Sequence, residues 1–239
     1  MRKLVESTFV TLDGVIGSPE KWSPPYWNEE HNEYASRLLF AADALLLGRA
    51  TYEGFAQAWP TRSGDPYTYR INSLPKYVAS TTLEDPTWNA TVLEGDVAEA
   101  VASLKELPGD NILKFGTGEL DRTLLEHKLV DEYHFWMFPV LAGSGQRLIE
   151  GIETTHLKLV DHSTFSTASW CSPTRQSSPR SRRRQGRGEL TVSGAAVAGQ
   201  PPRDGAQRRH QQKDWPQPQE RVWLGLLTAN PAPWRPWFL

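Results

Sequence analysis

Apolar and polar positions follow two different periods in the first two thirds of the chain. Leu4–Leu12 is rich in Val, Thr and Phe and stops at Asp13-Gly14, which predicts a strand that ends in a turn. A helix is predicted to begin near Asn28, and a second strand covers Ala44–Leu47. The apolar positions of that helix recur at helical spacing: Ala35, Leu38, Leu39 and Ala42.

The alternation of strands and helices continues to about residue 167. Thr51 is predicted to cap a short helix that Pro60 stops, and Asp96 with Glu99 forms a capping-box pattern. Further strands are predicted at Tyr77–Ser80, Thr91–Leu93, Asn111–Phe115, Glu132–Pro139 and Leu157–Phe165. The pattern predicts an α/β fold of three layers, in which helices flank a central mixed, mostly parallel sheet. Because no helix separates the later strands, we expect antiparallel pairing at that end.

Composition divides the chain at about the same place. Residues 1–167 contain 14 basic and 24 acidic side chains, whereas residues 168–239 contain 12 basic and 4 acidic ones. The second segment also holds 9 of the 18 prolines. We therefore predict a globular domain over residues 1–167 and a disordered, basic, Pro-rich tail over residues 168–239.

The start of the tail favours a shifted reading frame. Codons that permit Ala168–Arg175 also permit, one base earlier, Gly-Val-Val-Val-Leu-Thr-Tyr-Ala, a buried strand where the domain needs its last one. The alternative is a natural extension that contacts nucleic acid through Arg182-Arg183-Arg184. On the frameshift interpretation the last strand is lost, and nucleic-acid binding is not expected.

Composition also limits the class of protein. No segment approaches the 18 to 20 apolar residues of a membrane span, so a cytoplasmic protein without a membrane partner is expected. The single cysteine, Cys171, lies in the predicted tail, which excludes disulfides from the domain. The histidines lack ligand spacing, and no metal site is predicted.

Candidate chemistry lies where strands end and helices begin. Ligands bind at this edge of parallel sheets, since backbone N–H groups at helix starts attract phosphates. Gly116-Thr117-Gly118 has that position, although a tight turn explains it equally well. Arg49 after the second strand is suited to a phosphate, or is a solvated loop arginine. Ser80-Thr81 and Asp13-Gly14 are the remaining strand ends, and each by itself is ordinary turn chemistry.

Taken in order, these segments resemble the dihydrofolate-reductase-like superfamily. The matching segments are Asp13–Gly17, Gly48–Glu53, Ser80-Thr81, Gly116–Gly118, Val130–Tyr133 and Pro139–Leu148. The last two favour the branch that contains the reductase domain of the bacterial bifunctional riboflavin-biosynthesis deaminase-reductase. The likeness spans about residues 2 to 167.

The resemblance implies NADPH as the cofactor and assigns roles to residues. Gly48, Arg49, Thr51, Ser80 and Thr81 would hold the adenosine phosphate side. The diphosphate side would fall to Gly116, Thr117, Gly118, Glu119 and Leu120. Ile16, in a mobile loop, would cover the nicotinamide, and Asp13 would border the substrate pocket.

One position departs from true dihydrofolate reductases. The carboxylate that binds the pterin falls on Asn32, which does not titrate, so a different substrate is expected. Proton donation is assigned to Asp13 or Glu53. Trp27 is a candidate for stacking on a flat substrate, although tryptophans more often fill a core.

The resulting expectation is an NADPH-dependent reductase that transfers a hydride to a small heterocycle or ribosylamino-pyrimidine. It would resemble 5-amino-6-(5-phosphoribosylamino)uracil reductase and form a homodimer. Two alternatives are an inactive or merely NADPH-binding remnant without its last strand, and a dihydrofolate reductase.

Overall fold

A computed structural model describes residues 1–148 and 150–177. The strands are β1 Leu4–Thr11, β2 Ala42–Gly48, β3 Lys76–Ala79, β4 Ala90–Val92, β5 Asn111–Phe115, β6 Glu132–Phe138, β7 Leu157–Leu159, β8 Ser163–Thr164 and β9 Trp170–Gln176. The helices are α1 Pro19–Trp22, α2 Glu29–Phe40, α3 Arg49–Ala58, α4 Pro66–Ser73, α5 Val97–Glu106 and α6 Glu119–Glu126, with a 3-10 turn at Pro24–Tyr26.

The nine strands form one sheet in the order β4-β3-β2-β5-β1-β6-β9-β7, and β8 pairs with β9. All pairs from β4 to β6 are parallel, whereas β9 is antiparallel to β6, β7 and β8. The predicted fold class, including antiparallel pairing at one end, is therefore confirmed. In the register of the sheet, Ser7 of β1 lies opposite Phe115, the last residue of β5, and β1 continues to Thr11 in the same direction.

Alternate residues of the central strands feed two hydrophobic cores on opposite faces of the sheet. Leu45 and Leu47 of β2 pack in one core with Trp59 and Ile71, whereas Leu46 enters the other. This alternation is the period of two that a strand imposes, and burial of each leucine contributes roughly 1.5 to 3 kcal/mol. The helices thus cover both faces, and the predicted three layers are present.

Helix starts were predicted with mixed success. Asp96 caps α5 as expected, since its carboxylate accepts the Glu99 amide at 3.0 Å. The prediction that Thr51 caps α3 is wrong: Gly48 is the cap, and Thr51 is the third helical residue. Helix α4 was not predicted, although Asp65 caps it and proline occupies its first position, both common features of helix starts.

The predicted strand Leu157–Phe165 is two short strands, β7 and β8, separated by residues 160–162. Both pair with β9 rather than with each other.

The prediction that the domain ends at Thr167 and loses its last strand is wrong. Trp170–Gln176 forms β9, which pairs with β6 over Tyr133–Met137 and with β7 on its other side. Cys171 and Thr174 of β9 are buried. The residues first assigned to the tail therefore supply the strand whose absence we expected. Residues 178–239, with Arg182-Arg183-Arg184, lie outside the described part of the chain.

Pro173 is tolerated in β9 because its backbone nitrogen and carbonyl face away from β6. The Pro173 carbonyl accepts the Val160 amide at 2.8 Å, so its nitrogen also faces the β7 side of β9. Strand β7 ends at Leu159, opposite Thr174. The missing N–H of proline thus lies beyond the end of β7 and leaves the ladder to β6 intact.

Among the helices described, none has both the length and the apolar character that crossing a membrane requires. In the same residues, no group of three or more His, Cys, Asp or Glu side chains is arranged to hold a metal ion.

The position of Cys171 gives a direct test of β9. It is the only cysteine of the chain, its side chain is fully buried, and burial raises the pKa of its thiol to about 12. We expect a thiol-reactive dye to label the native protein at least about 100-fold more slowly than the urea-unfolded chain, because the thiolate forms only after opening. Equal rates with and without urea would show that residues 170–176 are not packed in the sheet.

Candidate functional site

A cleft of about 220 Å³ opens at the carboxyl edge of the sheet. Its walls combine strand ends, the loop after β1, helix α3 and the aromatic residues before α2. The lining residues include Thr8, Phe9, Ile16, Glu20, Trp27, Thr51, Gly116, Thr117, Trp136 and Gln146. Five of the predicted site residues therefore share one cavity: Ile16, Trp27, Thr51, Gly116 and Thr117.

The starts of α3 and α6 meet at the contact between Thr51 and Gly116. A Cβ atom on Gly116 would lie 2.8 Å from Thr51 Oγ1, and Gly116 has a φ of +73°. Both the space and the backbone conformation therefore favour glycine. This close approach brings the loop after β5 against the first turn of α3.

The starts of α3 and α6 differ in how well they could bind an anion. Helix α3 has a glycine cap without a side-chain hydrogen bond, and its first turn contains no acidic residue. The first turn of α6 contains Glu119 and Asp121, and Asp121 Oδ2 already accepts the Gly118 amide at 2.6 Å. An incoming phosphate therefore finds free donors and positive potential at α3.

Arg49 links the start of α3 to the loop after β3. Its guanidinium pairs with Glu53 at 2.7 Å and donates to the hydroxyl of Thr82. Ser80 Oγ accepts the Thr82 and Leu83 amides at 3.2 and 3.0 Å, which holds the loop in a turn. Ser80 and Thr81 were predicted as site residues from the sequence, whereas Thr82 was not. The segment that contains Arg49 and the segment that contains Ser80 are therefore brought together, on an exposed rim outside the cleft lining.

The loop after β1 is fastened to the chain after β6. Asp13 accepts hydrogen bonds from Thr11 Oγ1 at 2.6 Å and from the Ala142 and Gly143 amides at 3.1 and 2.7 Å. These bonds lower the pKa of Asp13 to about 2. At neutral pH the carboxylate is ionised and fully engaged, so it fastens the loop and has no proton to donate.

Ile16 belongs to the same loop. Its amide donates to the Gln146 carbonyl at 2.8 Å, and its side chain is almost fully buried where it lines the cleft. The expectation of a loose loop finds no support here, since Ile16 is hydrogen-bonded to the facing segment.

Trp27 forms an aromatic wall with its neighbours. It stacks on Trp136 with ring centroids 5.6 Å apart and lies 5.3 Å from Phe9. Its indole N–H donates to Asn32 Oδ1 at 2.7 Å. Asn32 is therefore placed behind Trp27, where it fixes the orientation of the indole instead of lining the cleft.

A buried charged cluster, missed by sequence analysis, lies beneath the cleft floor. Glu6 and Lys114 are 1% and 2% exposed, and Lys114 Nζ lies 2.5 Å from Asp121 Oδ1 and 3.9 Å from Glu6 Oε2. Glu6 Oε1 lies 3.1 Å from the hydroxyls of both Thr8 and Thr117. The sequence did contain a signal for this cluster: β1 and β5 each carry a charged residue although their other residues are typical of fully buried strands.

Burial sets the protonation of this cluster. Desolvation raises the pKa of Glu6 to about 8, against the opposing effect of Lys114. Two carboxyl groups share one ammonium group, so the cluster is electrically neutral when one carboxyl keeps its proton. Because its raised pKa lies above neutral pH, Glu6 is the group that keeps a proton.

Glu20 is a second residue that sequence analysis did not assign to the site. It lines the cleft, and its Oε1 atom is shielded from solvent without a hydrogen-bond partner among the described residues. A buried carboxylate oxygen without a donor is costly, and a ligand N–H group would satisfy it.

The family model for the RibD C-terminal domain matches residues 2–169. In Bacillus subtilis (strain 168), YyaP is 29% identical over 175 residues, which cover 70% of this chain and 90% of YyaP. YwjB of the same organism is 28% identical over 171 residues, covering 70% of this chain and 94% of YwjB.

Solved structures share the fold. A putative riboflavin biosynthesis protein from Shewanella sp. PV-4 superposes with a TM-score of 0.59 at 20% identity, covering 74% of this chain and 99% of that one. The Thermotoga maritima diaminohydroxyphosphoribosylaminopyrimidine deaminase/5-amino-6-(5-phosphoribosylamino)uracil reductase gives 0.52 at 17% identity, covering 74% of this chain and 57% of that one. The fold is dihydrofolate-reductase-like, as predicted.

The contact between α3 and the loop after β5 predicts different effects at two nearby glycines. Gly116→Ala should destabilise the protein by about 1 to 3 kcal/mol, since it combines a positive φ with a clash at Thr51. Gly118→Ala is the matched control, because its backbone is extended and its Cβ position is open. Urea unfolding of both variants measures the difference. Equal stabilities would contradict the close approach.

Proposed function

We propose that this chain, which belongs to the RibD C-terminal domain family, is an NADPH-dependent reductase of a small heterocyclic or ribosylamino-pyrimidine substrate. The family and the fold support an oxidoreductase of the riboflavin-biosynthesis reductase type. The observation that carries the proposal is the junction at Thr51 and Gly116, where a helix start without a side-chain cap, next to an arginine, opens onto an aromatic-lined cleft.

The residues present fit a phosphorylated dinucleotide. The first turn of α3 offers backbone N–H donors. The space beside Gly48 is open to a ligand, since a Cβ atom built there would have no atom within 4 Å outside its chain neighbours. Arg49 and the hydroxyls of Ser80, Thr81 and Thr82 would hold the phosphate that distinguishes NADPH from NADH. When bound, this cofactor supplies a hydride.

Fewer residues of this segment are suited to bind the diphosphate than the resemblance implied. Gly116 and Thr117 face the cleft, but the Gly118 amide is occupied by Asp121. Glu119 adds negative charge at the same helix start. We therefore propose that the amides of α3, together with Gly116 and Thr117, bind the diphosphate, and that Gly118, Glu119 and Leu120 shape the turn.

The aromatic wall supports a flat, polar-edged substrate. Trp27 and Phe9 offer apolar faces, and Glu20 offers a carboxylate oxygen without a donor. Amino and ring N–H groups of a pyrimidine would pair with that oxygen. The cleft would exclude water and hold the electrophilic carbon of the substrate in position for hydride transfer.

Neither predicted proton donor is suited to its role. Asp13 is ionised and fastened to the facing loop, and Glu53 is paired with Arg49 on the exposed rim. These positions support roles for Asp13 in holding the loop and for Glu53 in orienting Arg49.

A separate observation counts against each of the two alternative functions. The remnant interpretation relied on a lost last strand, which the structure places in the sheet as β9. A dihydrofolate reductase would need a carboxylate where Asn32 instead holds Trp27. The homodimer and the cytoplasmic location stay predictions.

Cofactor binding is tested by tryptophan fluorescence, because Trp27 and Trp136 line the cleft. We expect saturable quenching by NADPH and an affinity loss of about tenfold in Arg49→Ala, with a smaller loss for NADH. Arg175→Ala is the matched control, since Arg175 is also an exposed, ion-paired arginine but lies on β9. Absence of saturable quenching in the native chain would refute the proposal.

The substrate class is tested separately by NADPH oxidation. We expect turnover of 5-amino-6-(5-phosphoribosylamino)uracil and none of dihydrofolate, because the cleft lacks the carboxylate that assists pterin protonation. Turnover of dihydrofolate alone would instead support the dihydrofolate reductase alternative. NADPH binding without turnover of either compound would count against the proposed substrate class.

A further inference from the structure

We propose that Glu6 stores the proton consumed in the reduction and delivers it to the cleft through the hydroxyl groups of Thr8 and Thr117. This inference deepens the proposed function and rests on it. Glu6 acts through the two threonines and is therefore a positioning residue, whereas Thr8 and Thr117 are the groups that face the cleft.

The hydrogen-bond geometry provides a continuous path. Glu6 Oε1 lies 3.1 Å from Thr8 Oγ1 and 3.1 Å from Thr117 Oγ1, and the two hydroxyls are 2.7 Å apart. Both hydroxyls donate to Glu6 Oε1 in the structure, and delivery of the proton requires one of them to rotate, accept from the protonated Glu6 oxygen and donate its own hydrogen toward the cleft. The buried carboxyl is thus one hydrogen bond away from two groups on the cleft wall.

The contacts of Glu6 with Asp121 and Lys114 explain why Glu6 keeps a proton. Glu6 lies within hydrogen-bonding reach of Asp121, which acts to raise the Glu6 pKa. Glu6 Oε2 and Asp121 Oδ1 are both buried carboxyl oxygens without a donor among the described residues, apart from the nearby Lys114 ammonium. A proton on Glu6 resolves this conflict, because it leaves one negative charge instead of two beside the Lys114 ammonium.

The charged and titratable groups around Glu6 come from three elements. Lys114 on β5 and Asp121 on α6 carry opposite charges, and Tyr133 on β6 is a buried phenol whose pKa is raised by burial and by both carboxyl groups. After Glu6 loses its proton, two carboxylates face the single Lys114 ammonium. The ammonium partly compensates the new charge, which makes proton release and recovery both accessible near neutral pH.

The proposed step balances in protons and electrons. The substrate, a conjugated C=N or C=O acceptor, gains a hydride at carbon from the dihydronicotinamide, and the π electron pair moves to its heteroatom. That heteroatom takes the hydroxyl proton of Thr8 or Thr117, and the Glu6 carboxyl replaces this proton. Glu6 is left as a carboxylate and recovers its proton from solvent after product leaves.

The first test detects the stored proton without cofactor or substrate. Infrared difference spectra of the full chain should show the carbonyl stretch of a protonated carboxyl at neutral pH, which disappears as the pH is raised. Glu6→Gln should remove it, and Glu132→Gln is the control acid, since Glu132 is paired with His134 on β6. Absence of such a band in the native chain would overturn the inference.

Asp121→Asn provides a second variant in case Glu6→Gln does not fold. It removes the competing anion but keeps an oxygen for the Gly118 amide. We expect Glu6 to ionise beside Lys114, so the band should be lost at neutral pH although Glu6 is present. Retention of the band would show that charge balance does not hold the proton.

The path to the cleft is tested by hydrogen–deuterium exchange of the same carboxyl. The double variant Thr8→Val and Thr117→Val should slow exchange by at least about tenfold, because the hydroxyl relay is removed. Unchanged exchange would exclude the proposed path.

Kinetics then separate this inference from the proposed function. With 5-amino-6-(5-phosphoribosylamino)uracil as the probe, Glu6→Gln should lower kcat by about tenfold or more without changing NADPH affinity, and should alter the alkaline limb of the pH profile. Failure of NADPH to bind the native chain would refute the proposed function but not the stored proton. Turnover with an unchanged pH profile in Glu6→Gln would refute the proton role alone.

Discussion

The contact between Thr51 and Gly116 is the constraint on which the site depends. Parallel pairing of β2 with β5 brings the ends of both strands to one edge, and the positive φ of Gly116 turns the chain closely past α3. A side chain at residue 116 would push the two segments apart. The helix start, the cleft and the threonine hydroxyls share one small volume because this approach is possible.

Beneath that edge, the sheet carries charges in positions that usually hold apolar residues. Burying Glu6, Lys114 and Asp121 costs several kcal/mol per ion unless the groups compensate one another. Here a single lysine faces two carboxyl groups, and the compensation is complete only with an additional proton. The cost of burial and the capacity to store a proton therefore have the same physical origin.

Hydrophobic patterning was sufficient to predict most of the fold, since the predicted strands Leu4–Leu12, Ala44–Leu47 and Asn111–Phe115 lie close to the observed β1, β2 and β5. The site was harder to predict from the sequence because it depends on contacts between segments that are far apart in the chain. Asp13 was correctly placed beside a strand end, but the amides that hold its carboxylate ionised lie about 130 residues away. Charge and proline content misled at β9, where burial and pairing with β6 outweigh unfavourable strand residues such as Pro173.

In the proposed function, the edge formed by Gly48, Thr51 and Gly116 binds a phosphorylated nicotinamide cofactor. A crystal structure of the chain grown with NADPH tests it most directly. We expect the diphosphate against the first turn of α3, the additional phosphate beside Arg49, and the nicotinamide in the cleft near Ile16 and Thr8. A structure in which NADPH is bound elsewhere, with this edge free of phosphate, would contradict it.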